Sequence, residues 1–336
     1  MINTCRTYNG FDINGLGQLK DGRGNGAPVT IILPTLAMEA RKWFEEHVEE
    51  GAYTDDDVFK LFYSILDEAI DDARDMLIER YEYMCHQDVL SAPFTYDNHL
   101  YAGYIPEEGT RSALKHFTWV IGQLGLAETL EILIHKNHVD PEGMKYAKKI
   151  EELFNRRCKE FKEEYKLNFG VYYSPAESLC YTAMKKFKEK YGIIPNVSDH
   201  EFFTNSMHVP VWEKVGVLEK IDIESQLTGF SNAGCITYVE LDTDIGKNLD
   251  ALEQIINYAL DKDVPYLAIN IPNDTCTECG YNDNIPEGEA CPKCGSMKIE
   301  RLRRVTGYLS TTYEHFNPGK ISEVHYRIKH VGRLEE

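Results

Sequence analysis

CITYVELDTDIGKNLDALEQIINYALDKDVPYLAIN, residues 235–270, reads as strand, helix, strand. CITYVEL (235–241) and VPYLAIN (264–270) are short apolar runs, and NLDALEQIINYALDK (248–262) between them is a helix. Two buried strands joined through a helix make a parallel pair, so the stretch predicts an α/β fold.

The same alternation runs upstream. APVTIILP (27–34) is a β-branched apolar run, a candidate buried strand. TLAMEARKWFEEHV (35–48) follows as a helix with Thr35 as its N-cap. Over 55–90, Phe59, Leu61, Phe62, Ile65, Leu66, Ile70, Ala73, Leu77 and Tyr81 recur at helical spacing behind an acidic first turn. Residues 112–134 read as a strongly apolar helix and 141–167 as an amphipathic one. FGVYYSP (169–175) is a strand leading into a helix that starts near Pro175. Residues 1–28 are rich in Gly and Asn, lack periodicity and read as loop; from 271 onward Cys, Pro, Gly and Asn replace the alternation, which places a boundary there.

The 336 residues carry a net charge of −19, which argues against a broad nucleic-acid-binding face but leaves room for a local pocket for a phosphorylated small molecule. Hydrophobic content is 43% and no run approaches the ~18 apolar residues of a membrane span. MINTCRTYNGFD shows no secretory signal, so a cytoplasmic setting is expected. Nine cysteines, an odd number, then read as reduced thiols, metal ligands or catalysts.

Cys276, Cys279, Cys291 and Cys294 form C-x2-C, eleven residues, C-x2-C. Each pair binds one ion from a tight turn, helped by Gly280 and Gly295, and two such knuckles complete a tetrahedron. A closed all-thiolate shell suits structural zinc; an iron–sulfur cluster uses the same ligands. Cys85, Cys158, Cys180 and Cys235 lie in helix or strand patterns and read as buried, inert thiols.

Just beyond the knuckles, RRVTGYLS (303–310) sets Gly307 among β-branched, aromatic and basic neighbours. A turn is one reading. The other is that the missing side chain is itself the chemistry.

RVTGYL (304–309), FNPGK (316–320) and the basic RIKH (327–330), following four zinc cysteines, resemble the C-terminal region of the anaerobic (class III) ribonucleoside-triphosphate reductases. LPTLAMEA (33–40), LKHFTWVIGQLGLAETL (114–130), SPAESLC (174–180), FFTNSMHVPV (202–211) and SNAGCITYVEL (231–241) extend the resemblance over the chain. Phe117 stands where the family has a small residue, and Asn232-Ala233-Gly234 replaces a Gly-Gly pair.

The resemblance implies the second half of a ten-stranded α/β barrel over 1–270, a zinc module over 271–298, and a glycyl radical loop with a basic tail over 299–336. It makes Gly307 the glycyl radical and Cys5, in TCRT, the thiyl radical that abstracts the 3′-hydrogen of a ribonucleoside triphosphate. Asn25, in GRGN, falls where the family bonds ribose hydroxyls, although a turn role fits it equally. Ser174, Glu177 and Ser178 sit at a strand-to-helix junction that suits a substrate phosphate or ordinary capping.

The implied partners are a radical S-adenosylmethionine activase carrying an iron–sulfur cluster, and a separate N-terminal half, since family members are roughly twice as long. Met1 directly before TCRT, the loop that the resemblance makes the thiyl finger, suits a split gene, with a truncated copy as the other reading. The assembled enzyme is expected to be a homodimer. Asn3 stands where the formate-using branch often has Met, which leaves the reductant open between formate and a thioredoxin-like protein. The alternatives are a non-catalytic spare part that replaces the lost end of a damaged full-length enzyme, and a formate-lyase type of glycyl radical enzyme.

Overall fold

The computed structural model describes residues 7–242, 245–246, 248–305 and 307–330. Two compact units divide them: one runs to Ser174 and includes Leu227–Cys235, and the other comprises Pro175–Gln226 and the chain from Ile236 onward.

The first unit carries β1 (Asn25–Ile32), α1 (Leu33–His47), α2 (Asp55–Cys85), the short α3 (Pro93–Asp97) and α4 (Thr110–Leu114), β2 (Thr118–Leu124), α5 (Leu126–Ile134), α6 (Pro141–Tyr165) and β3 (Asn168–Tyr172). Its strands form a parallel sheet in the order β1-β2-β3. Every residue of β2 is buried.

That strand corrects the helix expected over 112–134: the segment is α4, then β2, then α5. A strand covered on both faces shows no polar alternation, so its apolar run looks like a buried helix. Its glycines mark the difference. A Cβ on Gly122 would run into Ser174 Oγ and the Tyr172 carbonyl, and Gly125, at φ +79°, ends the strand in the left-handed region.

Thr35 is not an N-cap. α1 begins at Leu33 with Pro34 in its first turn, where a fixed φ and a missing N–H cost nothing, and Ile32 caps it without a side-chain bond. The capping residue lies before α2 instead. Thr54 Oγ1 accepts from the Asp57 N–H (3.3 Å), and Asp57 returns the bond to the Thr54 N–H (3.1 Å), a reciprocal box. The buried stripe of α2 keeps most of the expected positions, from Phe59 and Phe62 to Tyr81.

Residues 7–24 have little regular structure but are held firmly. Asp12 accepts from the Leu16 N–H (2.8 Å) and Asn168 Nδ2 (2.6 Å), and lies 2.9 Å from His116 Nδ1. Burial opposes its charge, yet these bonds win and hold the carboxyl below its ordinary range. Arg23 donates to the carbonyls of His116 (2.7 Å), Gly10 (2.8 Å) and Leu19 (2.9 Å).

In the second unit α7 (Ser178–Tyr191) starts three residues after Pro175, because Ala176 and Glu177 take positive φ and break the helical path. α8 (Val217–Thr228) follows, its last two residues belonging to the first unit. β4 (Thr237–Glu240), α9 (Leu249–Asp261) and β5 (Leu267–Asn270) make the expected strand-helix-strand unit, with the strands parallel and Thr237 opposite Leu267. Val239, Leu241, Ile255, Ala259 and Val264 pack with Val217 and Ile221 of α8 as its core. Then β6 (Asn273–Cys276), β7 (Asn282–Asp283), β8 (Ile299–Val305) and β9 (Tyr308–Ser310) form an antiparallel run, β7-β6-β8-β9, followed by α10 (Pro318–Tyr326).

One buried acid of the first unit yields a pH test. Glu151 of α6 is fully buried, and its Oε1 accepts from Gln123 Nε2 of β2 at 2.8 Å. Burial raises its pKa to about 7, opposed only by the bonds to Gln123 and Tyr173. Because the folded value lies above the unfolded one, the folded state holds the extra proton between about pH 4.5 and 7. Stability should therefore fall as pH rises through that window, by up to ~3 kcal/mol. In urea titrations Glu151→Gln should remove this slope; an unchanged slope would exclude Glu151 as its source.

Candidate functional site

β6 ends at Cys276, and the chain turns back at once. The Gly280 N–H bonds the Cys276 carbonyl at 2.9 Å, with Gly280 at φ +71°. The second knuckle repeats the geometry: the Gly295 N–H reaches the Cys291 carbonyl at 2.8 Å, with Gly295 at φ +75°. Only a residue without Cβ takes these angles cheaply.

The two turns bring all four thiols within 4.8 Å of one another. Cys276 Sγ lies 3.6 Å from Cys294 Sγ, and Cys279 Sγ 3.6 Å from Cys291 Sγ. Zn–S bonds of ~2.3 Å give a tetrahedron edge of about 3.8 Å, so the thiols fit one zinc ion with no open position. Burial pushes the Cys276 thiol up, but N–H groups of Cys279 and Glu278 outweigh it and bring it down to about 7, while the neighbouring thiols of Cys279 and Cys294 are shifted up.

Two residues before Cys276, Asp274 is fully buried. It accepts from Arg301 Nη1 (3.0 Å), from Arg303 Nη1 (2.6 Å) and Nη2 (3.1 Å), and from the Ile285 N–H (2.9 Å). Arg301 is its register partner on β8, and Arg303, two residues on, shares that face. This fork escaped the sequence reading. Its only trace is an Arg-x-Arg alternation opposite an acid in a strand.

β8 and β9 pair from Arg303↔Ser310 to Val305↔Tyr308, which leaves Gly307 in the hairpin tip. Gly307 is exposed and lines a cleft of about 720 Å³ with Arg304, Leu309, Asn270 and Tyr313 among its walls. The turn that a glycine suggests is therefore present.

FNPGK opens α10, with Asn317 as N-cap accepting from the Lys320 N–H at 2.9 Å. RIKH is docked rather than trailing free. The Ile328 N–H reaches the Val211 carbonyl (2.9 Å), the His330 N–H the Glu240 carbonyl (2.8 Å), and the Glu240 N–H donates to His330 Nδ1 (2.9 Å). Burial above all drives the His330 ring down to about 3, so it stays neutral and can accept that bond.

Cys5 lies outside the described residues. Asn25 opens β1, and its buried Oδ1 has no hydrogen-bond partner among the described residues. Ser174, in the first unit, has its Oγ 2.7 Å from Thr30 Oγ1. Glu177 and Ser178 belong to the second unit, where Ser178 Oγ accepts from Lys320 Nζ at 3.4 Å. Cys158, Cys180 and Cys235 are buried, and burial pushes the Cys158 thiol up to about 12; Cys85, at the end of α2, is only half-buried. Among the described residues no helix is long and apolar enough to cross a membrane.

A model of the family described as anaerobic ribonucleoside-triphosphate reductase matches residues 1–330. The chain belongs to that family. It is 32% identical over 341 residues to the anaerobic ribonucleoside-triphosphate reductase of Escherichia coli K12, covering 98% of this chain and 46% of that protein. The enzyme of the same name from Enterobacteria phage T4 is 29% identical over 337 residues, covering 97% of this chain and 52% of its own length. The chain thus spans about half the length of the curated relatives it matches.

Among solved structures, one anaerobic ribonucleotide reductase matches with a TM-score of 0.68 at 20% identity, over 92% of this chain and 45% of that one. The Thermotoga maritima enzyme with glycerol in its active site matches with a TM-score of 0.65 at 21% identity, over 98% and 47%. At such identities the likeness shows the shared mixed α/β fold.

Protein prepared without oxygen should contain about one zinc per chain by elemental analysis. Cys276→Ser or Cys294→Ser should lose the metal and loosen β6–β9 while leaving β1–β3 intact, as read by hydrogen exchange. Visible iron–sulfur absorption in place of zinc, or no metal at all, would overturn the assignment.

Proposed function

We propose that this chain is the catalytic C-terminal half of an oxygen-sensitive ribonucleotide reductase that converts ribonucleoside triphosphates to 2′-deoxyribonucleotides by radical chemistry. One observation carries the reading: in a chain of this family, the RVTGYL glycine stands exposed at a hairpin tip beside a wide cleft, on the same sheet as a four-thiol cluster. The five parallel strands among the described residues, in sheets of three and two, support a half-share of a ten-stranded barrel.

In this proposal residues up to 270 are the half-barrel, 271–298 the zinc module, and 299–336 the radical loop and its tail. Zinc is structural. A separate radical S-adenosylmethionine activase, with its own iron–sulfur cluster, removes one hydrogen atom from the Gly307 Cα. The glycyl radical takes the hydrogen of the Cys5 thiol, and the thiyl radical takes the 3′-hydrogen of the ribose. The 2′-hydroxyl then leaves as water, two electrons and two protons come from formate or a thioredoxin-like donor, and the 3′-hydrogen returns from Cys5. Asn25, with its unengaged buried oxygen, is assigned to the ribose hydroxyls, and the Ser174, Glu177 and Ser178 segment to the phosphates. The N-terminal half, supplied by another chain, completes the barrel, and the assembled enzyme pairs as a homodimer in oxygen-free cytoplasm.

Activated anaerobically, the protein should show a glycyl doublet by electron paramagnetic resonance, split by the one remaining α-hydrogen. Gly307→Ala should abolish it. Cys5→Ser should keep the doublet and lose turnover, because the glycyl radical cannot open an O–H bond. Air should cut the activated chain at Gly307. A doublet that survives in Gly307→Ala sinks the assignment. Turnover should appear only on mixing with the N-terminal half; if the chain instead only restores an air-cleaved full-length enzyme, it is a spare part.

A further inference from the structure

The β8–β9 hairpin is short, with three register pairs, and its tip is exposed: Leu309 is 65% accessible. So small a two-stranded ladder is marginal by itself. What grips its ends decides where Gly307 sits. On one side, Arg327 Nη1 donates to the carbonyl of Arg304 at 2.6 Å. The same guanidinium is held by Glu323 Oε1 (2.7 Å) and lies 3.5 Å from Glu240 Oε2. On the other side, Lys320 Nζ lies 3.4 Å from the centroid of the Tyr308 ring. Lys320 is 5% exposed, and its ammonium has Ser178 Oγ at 3.4 Å as a second contact.

The two side chains come from α10 and the residue that follows it. Lys320 is the third residue of α10, and Arg327 follows its last, about two turns further on. The helix itself has little freedom. A Cβ on Gly319 would lie 2.7 Å from Tyr181 Cβ and 3.1 Å from the Glu201 carbonyl, so α10 sits against these residues at a distance only glycine allows.

We infer that Lys320 and Arg327 are positioning residues for the radical loop, Arg327 holding the Arg304 carbonyl before the Gly307 turn and Lys320 holding the Tyr308 ring after it. The inference rests on the proposed role of Gly307. A hydrogen atom passes only between centres in near contact, and a displacement of about 1 Å costs on the order of a hundredfold in rate. Neither residue reacts. The two fix the hairpin from both flanks and leave the Cα between them uncovered. The chemistry of each grip is specific. A guanidinium reaches a carbonyl and two carboxylates from separate nitrogens of one planar fork, a spread that an ammonium's single nitrogen lacks, whereas either cation can lie on a ring face.

Hydrogen exchange of the full, unactivated chain tests this without any radical. Lys320→Met and Arg327→Lys should each speed exchange over 305–309 at least tenfold, with zinc content and exchange in β1–β3 and the knuckles unchanged. Lys320→Arg should restore protection, a rescue that general loosening would not produce. Unchanged protection at 305–309 in both variants, equal loosening of the knuckles, or failure of the Lys320→Arg rescue would overturn the inference. If Arg327→Lys does not fold, the Lys320 pair decides alone. After activation, both loosened variants should give a weaker doublet than the parent chain. A parent chain with no doublet defeats the radical reading, while the exchange result still judges the grip.

Discussion

A buried carboxylate with two guanidinium partners ties the chemistry of the second unit together. Asp274 is the hinge point between the cysteine knuckles and the strand that carries Gly307, and it has no access to solvent. A carboxylate there survives only because Arg301, Arg303 and the Ile285 N–H occupy its oxygens. Breaking one side of such a set leaves an uncompensated charge and costs about 3–5 kcal/mol. A metal bound at Cys276, two residues further along β6, therefore stiffens β8 through one shared side chain.

In the proposed reading Gly307 does two jobs with one missing atom. A tight hairpin tip favours open backbone angles, and a planar Cα radical needs the absence of a Cβ. These demands coincide, so the local geometry alone does not separate turn from radical. The setting favours the proposed radical role: an exposed tip on a wide cleft, held at its flanks by Lys320 of α10 and Arg327 just after it, in a chain of the reductase family.

The first unit solves a similar problem with different groups. The loop before β1 contains few apolar side chains to bury, so polar contacts fix it. Asp12 binds Asn168 at the start of β3 and His116 just before β2, while Arg23 spends its donors on three carbonyls. The loop is thereby attached at the leading ends of two parallel strands. Because the strands are buried on both faces, these ends are well fixed, and the precision of the sheet passes to a segment with almost no regular structure.

Local signals alone determined a good part of this protein. The strand-helix-strand unit at 235–270, the long helix from Asp55, the knuckle spacing and the Gly307 motif are all carried by residues near one another in the chain, and each was legible. So was the family, because its motifs are contiguous. Where several structures bury the same composition, the sequence was silent. The run 112–134 is apolar throughout, and only packing against β1 and β3 makes its middle a strand. Thr35 resembles a cap, but Pro34 had already begun the helix. Tertiary structure alone decided the pairings between distant positions. Asp274 with Arg301 and Arg303, Arg327 with the Arg304 carbonyl, and Lys320 with Tyr308 are contacts between single residues whose partners no periodicity or spacing specifies. A charged side chain in a sequence looks the same whether water or a buried partner will receive it, and the fold makes that choice.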